Sequence, residues 1–270
     1  GAVQMGGKPV VKPSAAVRAG QAGQIELRPT PQSQAFKPES MPLSVVYEDE
    51  HLRVIDKPVG LVVHPAPGHW SGTLHNGLLA LDPKAALLPR AGIVHRLDRD
   101  TSGLMVVARS RQAMDALVAR IAAREVTRQY VALAHRDWQG GARHVDAAIG
   151  RDPRNRLRMA AVDLSRHSGK PARTLIECLD TVPTGCVVRC TLETGRTHQI
   201  RVHMASIGHP LVGDALYGGQ PTAQLQRQAL HAFRLAFEHP VTGSRLAFCS
   251  ELPADMQAGL HAWGLHYNAP

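Results

Sequence analysis

Asp98 lies in the stretch Ile93-Val94-His95-Arg96-Leu97-Asp98-Arg99-Asp100-Thr101-Ser102-Gly103, between Arg96 and Arg99. Nearby guanidiniums favour the charged form of a carboxylate, so Asp98 is expected to stay ionised. That makes it a candidate nucleophile rather than a general acid. The same residues have an ordinary reading as well, because Asp, Thr, Ser and Gly are what tight turns are made of. His198, His203 and His209 invite a metal reading, but they lack the i, i+4 spacing of HExxH and no neighbouring carboxylate completes a set, so no metal site is expected. Cys178, Cys186, Cys190 and Cys249 form no CxxC pair and read as reduced core residues of a cytoplasmic protein. No Gly-rich cofactor loop is present.

These residues must be carried by regular elements. The apolar runs Ile93–Leu97 and Leu104–Val107 predict a strand, a tight turn bearing Asp98, and a second strand. Ser110 stands as an N-cap, and Met114, Leu117, Val118 and Ile121 follow at helical spacing to an end near Arg124. Residues 126–134 read as a strand containing Tyr130, by default a core aromatic. Upstream, residues 44–58 read as two strands around an acidic turn. Lys57-Pro58-Val59-Gly60 breaks the sheet, Leu61–Pro65 resumes it, and Thr73 to Leu81 is a short helix. Downstream, Val187–Glu193 is a strand turned by Thr194-Gly195-Arg196. Thr197 then caps a helix that Gly208 and Pro210 stop. Strands through Leu230–Pro240 and Leu246–Phe248 close the domain, and a short helix ends the chain.

Bulk properties narrow the function. The chain has 270 residues, 44% hydrophobic, with a formal charge of +9. That suits one substantial domain with an appendage and an anionic partner, nucleic acid above all. Residues 150–170 concentrate Arg151, Arg154, Arg156, Arg158, Arg166 and Lys170, as a hairpin lying along an RNA backbone would. No apolar run is long enough to span a bilayer, and residues 1–5 carry no signal-peptide pattern, so no membrane association is expected.

HRLD followed by DTSGLMVVAR closely resembles the catalytic motif of the RluA/RluD-type pseudouridine synthases. Lys57-Pro58 through His64-Pro65 is similar to the family's first motif. Thr197-His198-Gln199-Ile200-Arg201-Val202-His203 through Tyr217-Gly218 is similar to its third. The likeness runs from Leu43 to Pro253 in the family's order. It implies an α+β pseudouridine synthase fold: a bent, mixed but mainly antiparallel sheet with flanking helices and a central cleft. It implies the isomerisation of uridine in RNA without metal, nucleotide or other cofactor, by a protein expected to be a monomer. In that scheme Asp98 is the nucleophile and Arg201 its partner, Tyr130 stacks under the uracil, and Arg96 fills the space that the flipped base leaves. RNA contacts are expected from Arg96, His95, Arg99, Arg196 and His198. Lys57 and His64 belong to the cleft wall, where either could touch RNA, although shaping the wall is the simpler role. Within the family the wording is most similar to the RluD type, which implies ribosomal RNA, at helix 69 of the large subunit, as partner. A transfer-RNA or other ribosomal target, a sugar-bond hydrolase and a non-catalytic RNA-binding assembly factor remain open.

Residues 1–28 resemble the C-terminal half of an S4-like RNA-binding module, begun part-way as in a trimmed chain. Residues 29–42 read as a linker rich in Pro, Ser and Gln, 43–253 as the catalytic domain and 254–270 as a C-terminal tail.

Overall fold

The computed structural model describes residues 2–12, 14–27 and 30–268. The expected 28/29 boundary therefore lies outside the described residues. Near the N-terminus, β1 (Val3–Met5) pairs antiparallel with β2 (Lys8–Pro9) and with β3 (Gly23–Ile25).

The body is a nine-stranded sheet in the order β4-β5-β6-β14-β7-β13-β12-β8, with β15 paired to β14. Its strands in chain order are β4 (Ser44–Glu48), β5 (Leu52–Lys57), β6 (Ser102–Ala108), β7 (Thr127–His135) and β8 (Arg143–Asp146). A small second sheet of β9 (Ile149–Arg151), β10 (Met159–Ala161) and β11 (Gly169–Lys170) carries the arginine-rich segment, in place of a single hairpin. The main sheet is completed by β12 (Arg173–Val182), β13 (Gly185–Leu192), β14 (Leu230–Glu238) and β15 (Arg245–Cys249). Every neighbouring pair of the main sheet is antiparallel except β6 with β14.

Side chains alternate across a strand, so each strand serves both faces. Leu52, Val54, Leu104 and Val106 pack on α2 (Arg111–Ala122) through Ala113 and Leu117. Val131, Leu133, Val187 and Phe233 lie on α4 (Ala254–Trp263) through Met256 and Leu260. The alternate residues Ile55, Met105, Val107, Tyr130 and Cys190 face the other way, with α1 (Leu74–Leu81) and α3 (Gln199–Ser206). The cleft opens on this second face. Thr73 caps α1 with a capping box and Ser110 caps α2 through the Ala113 amide, as their positions predict.

Two predicted strands do not form. Residues 93–97 run irregularly, with only an Ile93–Val107 bridge. β5 pairs along one edge of β6, while on the other β14 pairs only at Ser102 and Gly103, and beyond it the Val106 amide is given to the His95 side chain in place of a strand carbonyl. Residues 61–65 also leave the sheet. The carbonyls of Val62 and Val63 accept from the first amides of α1, at Leu74 and His75, and so complete that helix end.

Candidate active site

Asp98 sits on a turn that the Thr101 amide closes by donating to the Asp98 carbonyl at 3.1 Å. Two cations from elsewhere in the chain hold this turn. Lys57 Nζ donates to the carbonyls of Pro58, Leu61 and Arg99 at 2.8, 3.0 and 2.9 Å. Arg227 Nη1 donates to the Asp100 carbonyl at 3.0 Å, while its fork grips Asp255 at 2.7 and 2.9 Å. At Gly103 φ is +113°, and a Cβ would lie 2.3 Å from the Ala232 carbonyl oxygen, so only glycine lets β14 approach β6 here.

The arginine that serves Asp98 comes from far along the chain. Arg201 Nη1 donates to Asp98 Oδ2 at 2.9 Å, and Arg201 Nε and Nη2 donate to Asp214 at 2.7 and 2.8 Å. A bidentate carboxylate fixes the plane of the guanidinium, so Asp214 aims Arg201 at Asp98. The Tyr217 ring lies 5.0 Å from the Arg201 carbon centre. Burial works against the Arg201 charge, and the two carboxylates outweigh it, holding the guanidinium above its ordinary value.

This corrects the local expectation that Arg96 and Arg99 clasp Asp98. Arg99 pairs with Asp100 at 3.0 Å on the surface, and Arg96 is exposed on the cleft wall. Sequence adjacency on a turn does not make side chains converge. The distant pairing of Asp98 with Arg201 does form.

A cleft of about 650 Å³ surrounds this pair. His64, His95, Arg96, Tyr130, Arg196 and His198 line it, so the structure brings together most of the expected site residues. Tyr130 is buried on β7 opposite Cys190, and its phenol is pushed up to about 12, first by burial. His95 is half-buried; its Nε2 accepts from the Val106 amide at 3.1 Å, and burial followed by the Arg128 charge pushes it down to about 3. His64 is lowered to about 4, by burial and then by Arg90 and Arg96. Both imidazoles are therefore neutral at pH 7. His198 Nε2 lies 3.9 Å from Asp98 Oδ2, and its Nδ1 is 2.8 Å from the Tyr217 hydroxyl. Burial lowers the His198 pKa before any charge acts on it. The Tyr217 hydroxyl also accepts from the Met159 amide of β10 at 3.1 Å, which ties the small sheet to the site.

Three placements differ from expectation. Lys57 is fully buried with its ammonium spent on carbonyls, and burial lowers it to about 8. It is a brace behind Asp98, out of reach of RNA. Arg99 faces away from the cleft lining, paired with Asp100. Thr197 does not cap α3; His198 is the N-cap, in the left-handed region at φ +57°, with no side-chain cap bond. The buried Gln199 side chain instead ties down the turn ahead of the helix, its Oε1 accepting from the Arg196 amide at 2.9 Å and from the Thr194 hydroxyl at 2.8 Å.

His203 bonds the Thr174 hydroxyl and the Ala147 carbonyl, and His209 stacks near Trp138, so both are structural. Among the described residues no cluster of three or more His, Cys, Asp or Glu could hold a metal ion. Asp214, Arg227 and Tyr217 were not singled out as site residues in the sequence. The only signal for Asp214 was its place in the third motif, thirteen residues beyond Arg201.

The fold brings Asp98 and Arg201, from two motifs a hundred residues apart, together at one cleft. Residues 51–206 match the family described as RNA pseudouridylate synthase. The chain is 45% identical over 267 residues to the ribosomal large subunit pseudouridine synthase D of Neisseria meningitidis, covering 95% of this chain and 70% of that protein. It is 47% identical over 249 residues to the protein of that name from Nitrosomonas europaea, covering 89% of this chain and 70% of that one. A solved human RNA pseudouridylate synthase domain containing 1 superposes with a TM-score of 0.62 at 25% identity, over 87% of this chain and 100% of its own. The chain belongs to the RNA pseudouridylate synthase family and is a pseudouridine synthase.

Proposed function

We propose that this pseudouridine synthase acts on large-subunit (23S) ribosomal RNA, at uridines of helix 69, with Asp98 as its nucleophile. The observation that carries the chemistry is the pairing of Asp98 with Arg201, itself fixed by Asp214. The names of the relatives at 45% and 47% identity support the choice of RNA.

The reacting atoms of a uridine are shielded in a helical stack, so the nucleotide must flip into the cleft. Arg96, exposed at the cleft wall, fills the gap it leaves. Asp98 then opens one of two routes. It attacks C1′, forming a C–O bond as the C1′–N1 pair leaves with the uracil, or it takes a proton from the sugar C2′ and releases a glycal. In either case the uracil turns and C5 bonds to C1′, as the C1′–O bond to Asp98 breaks with its pair returning to the carboxylate or as Asp98 gives the proton back to C2′, and the C5 proton is then lost while N1 takes one up. Tyr130, a neutral phenol at pH 7, supports the face of the uracil while it turns. Arg201 keeps the carboxylate oxygen aimed throughout. RNA contacts come from Arg96, Arg196, His95, His64 and His198 along the lining. The S4-like N-terminal piece, including β1 to β3, adds a further basic contact.

The test is mapping of pseudouridine in a large-subunit ribosomal RNA transcript after incubation with wild-type protein and with Asp98→Ala. Wild type forms pseudouridine at helix 69, and the variant loses at least about a thousandfold in rate, as nucleophile removals do. Activity in the variant would overturn the nucleophile. Free uracil among the products would indicate a hydrolase instead, and binding without turnover an assembly factor.

A further inference from the structure

Three arginines are buried among the described residues: Arg53, Arg128 and Arg201, at 3%, 5% and 7% exposure. Arg53 has Glu48 at 2.6 Å, and Arg201 has Asp98 and Asp214. Arg128 has no carboxylate among the described residues, and its Nε has no hydrogen-bond partner of any kind. A guanidinium cannot shed its proton to escape burial, so an unpaired one is a liability in the free protein. Burial acts on Arg128 in that direction.

Its placement shows what relieves it. Arg128 precedes Tyr130 by two residues on β7, so both project to the cleft face of the sheet, and both line the cleft. The outer end of the guanidinium lies beneath Gly195, an exposed loop residue before α3. A Cβ on Gly195 would stand 2.8 Å from Arg128 Nη1. With no side chain, Gly195 covers the guanidinium by backbone alone, and the small part of Arg128 that is exposed is on the cleft lining. Arg124 and Arg196 line the same side. A neutral base carbonyl would leave the buried charge unbalanced. A phosphodiester carries a full negative charge and two free oxygens that match the guanidinium fork.

The geometry points to a phosphate-binding pocket made by Arg128 beneath Gly195, which receives one phosphodiester of the RNA beside the flipped nucleotide. It rests on the reading that ribosomal RNA enters this cleft. Arg128 is a binding residue: it fixes the backbone while Asp98 does the chemistry.

The probe is the large-subunit ribosomal RNA transcript, titrated at several salt concentrations. Arg128→Gln weakens Kd about tenfold or more at low salt. It also flattens the slope of log K against log salt by about 0.7 to 0.9, the share of one phosphate contact. Its kcat at saturating RNA stays within about threefold of wild type. Without RNA the variant melts no lower than wild type, because an unpaired charge has been removed. Arg128→Lys recovers the salt slope and only part of the affinity, since it keeps the charge and loses the fork. Gly195→Ala, which leaves Arg128 in place, shifts Kd in the same direction by less. On short RNA substrates carrying one neutral methylphosphonate linkage, a single linkage next to the target uridine lowers wild-type affinity to the level of Arg128→Gln and lowers the variant no further. An unchanged slope and Kd in Arg128→Gln would overturn the pocket. So would a fall in kcat with the slope intact, which would place the guanidinium on the detached base. If the wild-type protein fails to bind the transcript while modifying another RNA, the ribosomal target is wrong, and the same titration on that other RNA decides the pocket.

Discussion

The inner end of the cleft and its rim are both rich in cations, and they treat them in opposite ways. At the inner end three cations around the Asp98 turn have partners within the chain. Arg201 is shared by Asp98 and Asp214, Arg227 is gripped by Asp255, and Lys57 is surrounded by carbonyls. Along the rim and on the small sheet, Arg90, Arg96, Arg154 and Arg156 are exposed and none forms an ion pair among the described residues. Paired cations fix geometry, because a partner removes rotational freedom. Unpaired surface cations are solvated and mobile, and their use lies in meeting an outside anion. The positive charge of the chain therefore serves two purposes, separated by whether a carboxylate stands beside it.

The sharpest way to break this contrast is at Asp214. Asp214→Asn leaves Arg201 with one carboxylate where it had two. Breaking a buried pair from one side costs about 3 kcal/mol. The slackened guanidinium costs about a hundredfold in single-turnover rate, the usual toll of a misplacement near 1 Å. Thermal melts and single-turnover assays read these two effects separately. A variant that kept full activity would show that Asp98 needs no aimed partner.

A smaller effect tests the cleft wall. His95 has a folded pKa near 3, against 6.5 in the unfolded chain. Below 6.5 the unfolded chain takes up a proton that the folded one refuses. The stability due to His95 is therefore complete above pH 6.5 and lost as pH falls toward the folded value. His95→Gln, which keeps an acceptor for the Val106 amide, should flatten the melting curve by about 2 kcal/mol between pH 6.5 and about pH 5. An unchanged acid limb would mean that His95 titrates freely.

The smallest effects belong to the rim. Arg154→Gln and Arg156→Gln should each weaken RNA binding two- to threefold and flatten the salt slope by about 0.7, with no change in melting temperature. A loss of stability in either would erase the distinction between paired and unpaired cations.

Much of the site was legible because its chemistry sits in contiguous motifs. Asp98 in HRLD, Arg201 in THQIRVH and Tyr130 on its strand were all recognisable before any geometry, and they do line one cleft. What was not legible depends on pairing across long stretches of chain. Lys57 reads as a cleft-wall residue that could touch RNA until three carbonyls are seen around its ammonium. The turn arginines read as partners of Asp98, because sequence proximity says nothing about where side chains point. The missing strand at 93–97 failed for a similar reason: its apolar residues are right for a strand, but beyond the Ile93–Val107 bridge the Val106 amide is taken by the His95 side chain, which no apolar pattern reveals. Arg128 looked like any strand arginine, and only the lack of an acid beside it distinguishes it.

The place of β14 also sets an order of assembly. It lies at the middle of the sheet, between β6 and β7, although it is among the last strands to be synthesised. Until Leu230–Glu238 is made, the two halves of the sheet have nothing to join them, and until Asp255 follows to grip Arg227, the loop that bears Asp98 lacks its full rear support. A chain stopped before Leu230 would therefore lack the strand that joins the two halves of the sheet.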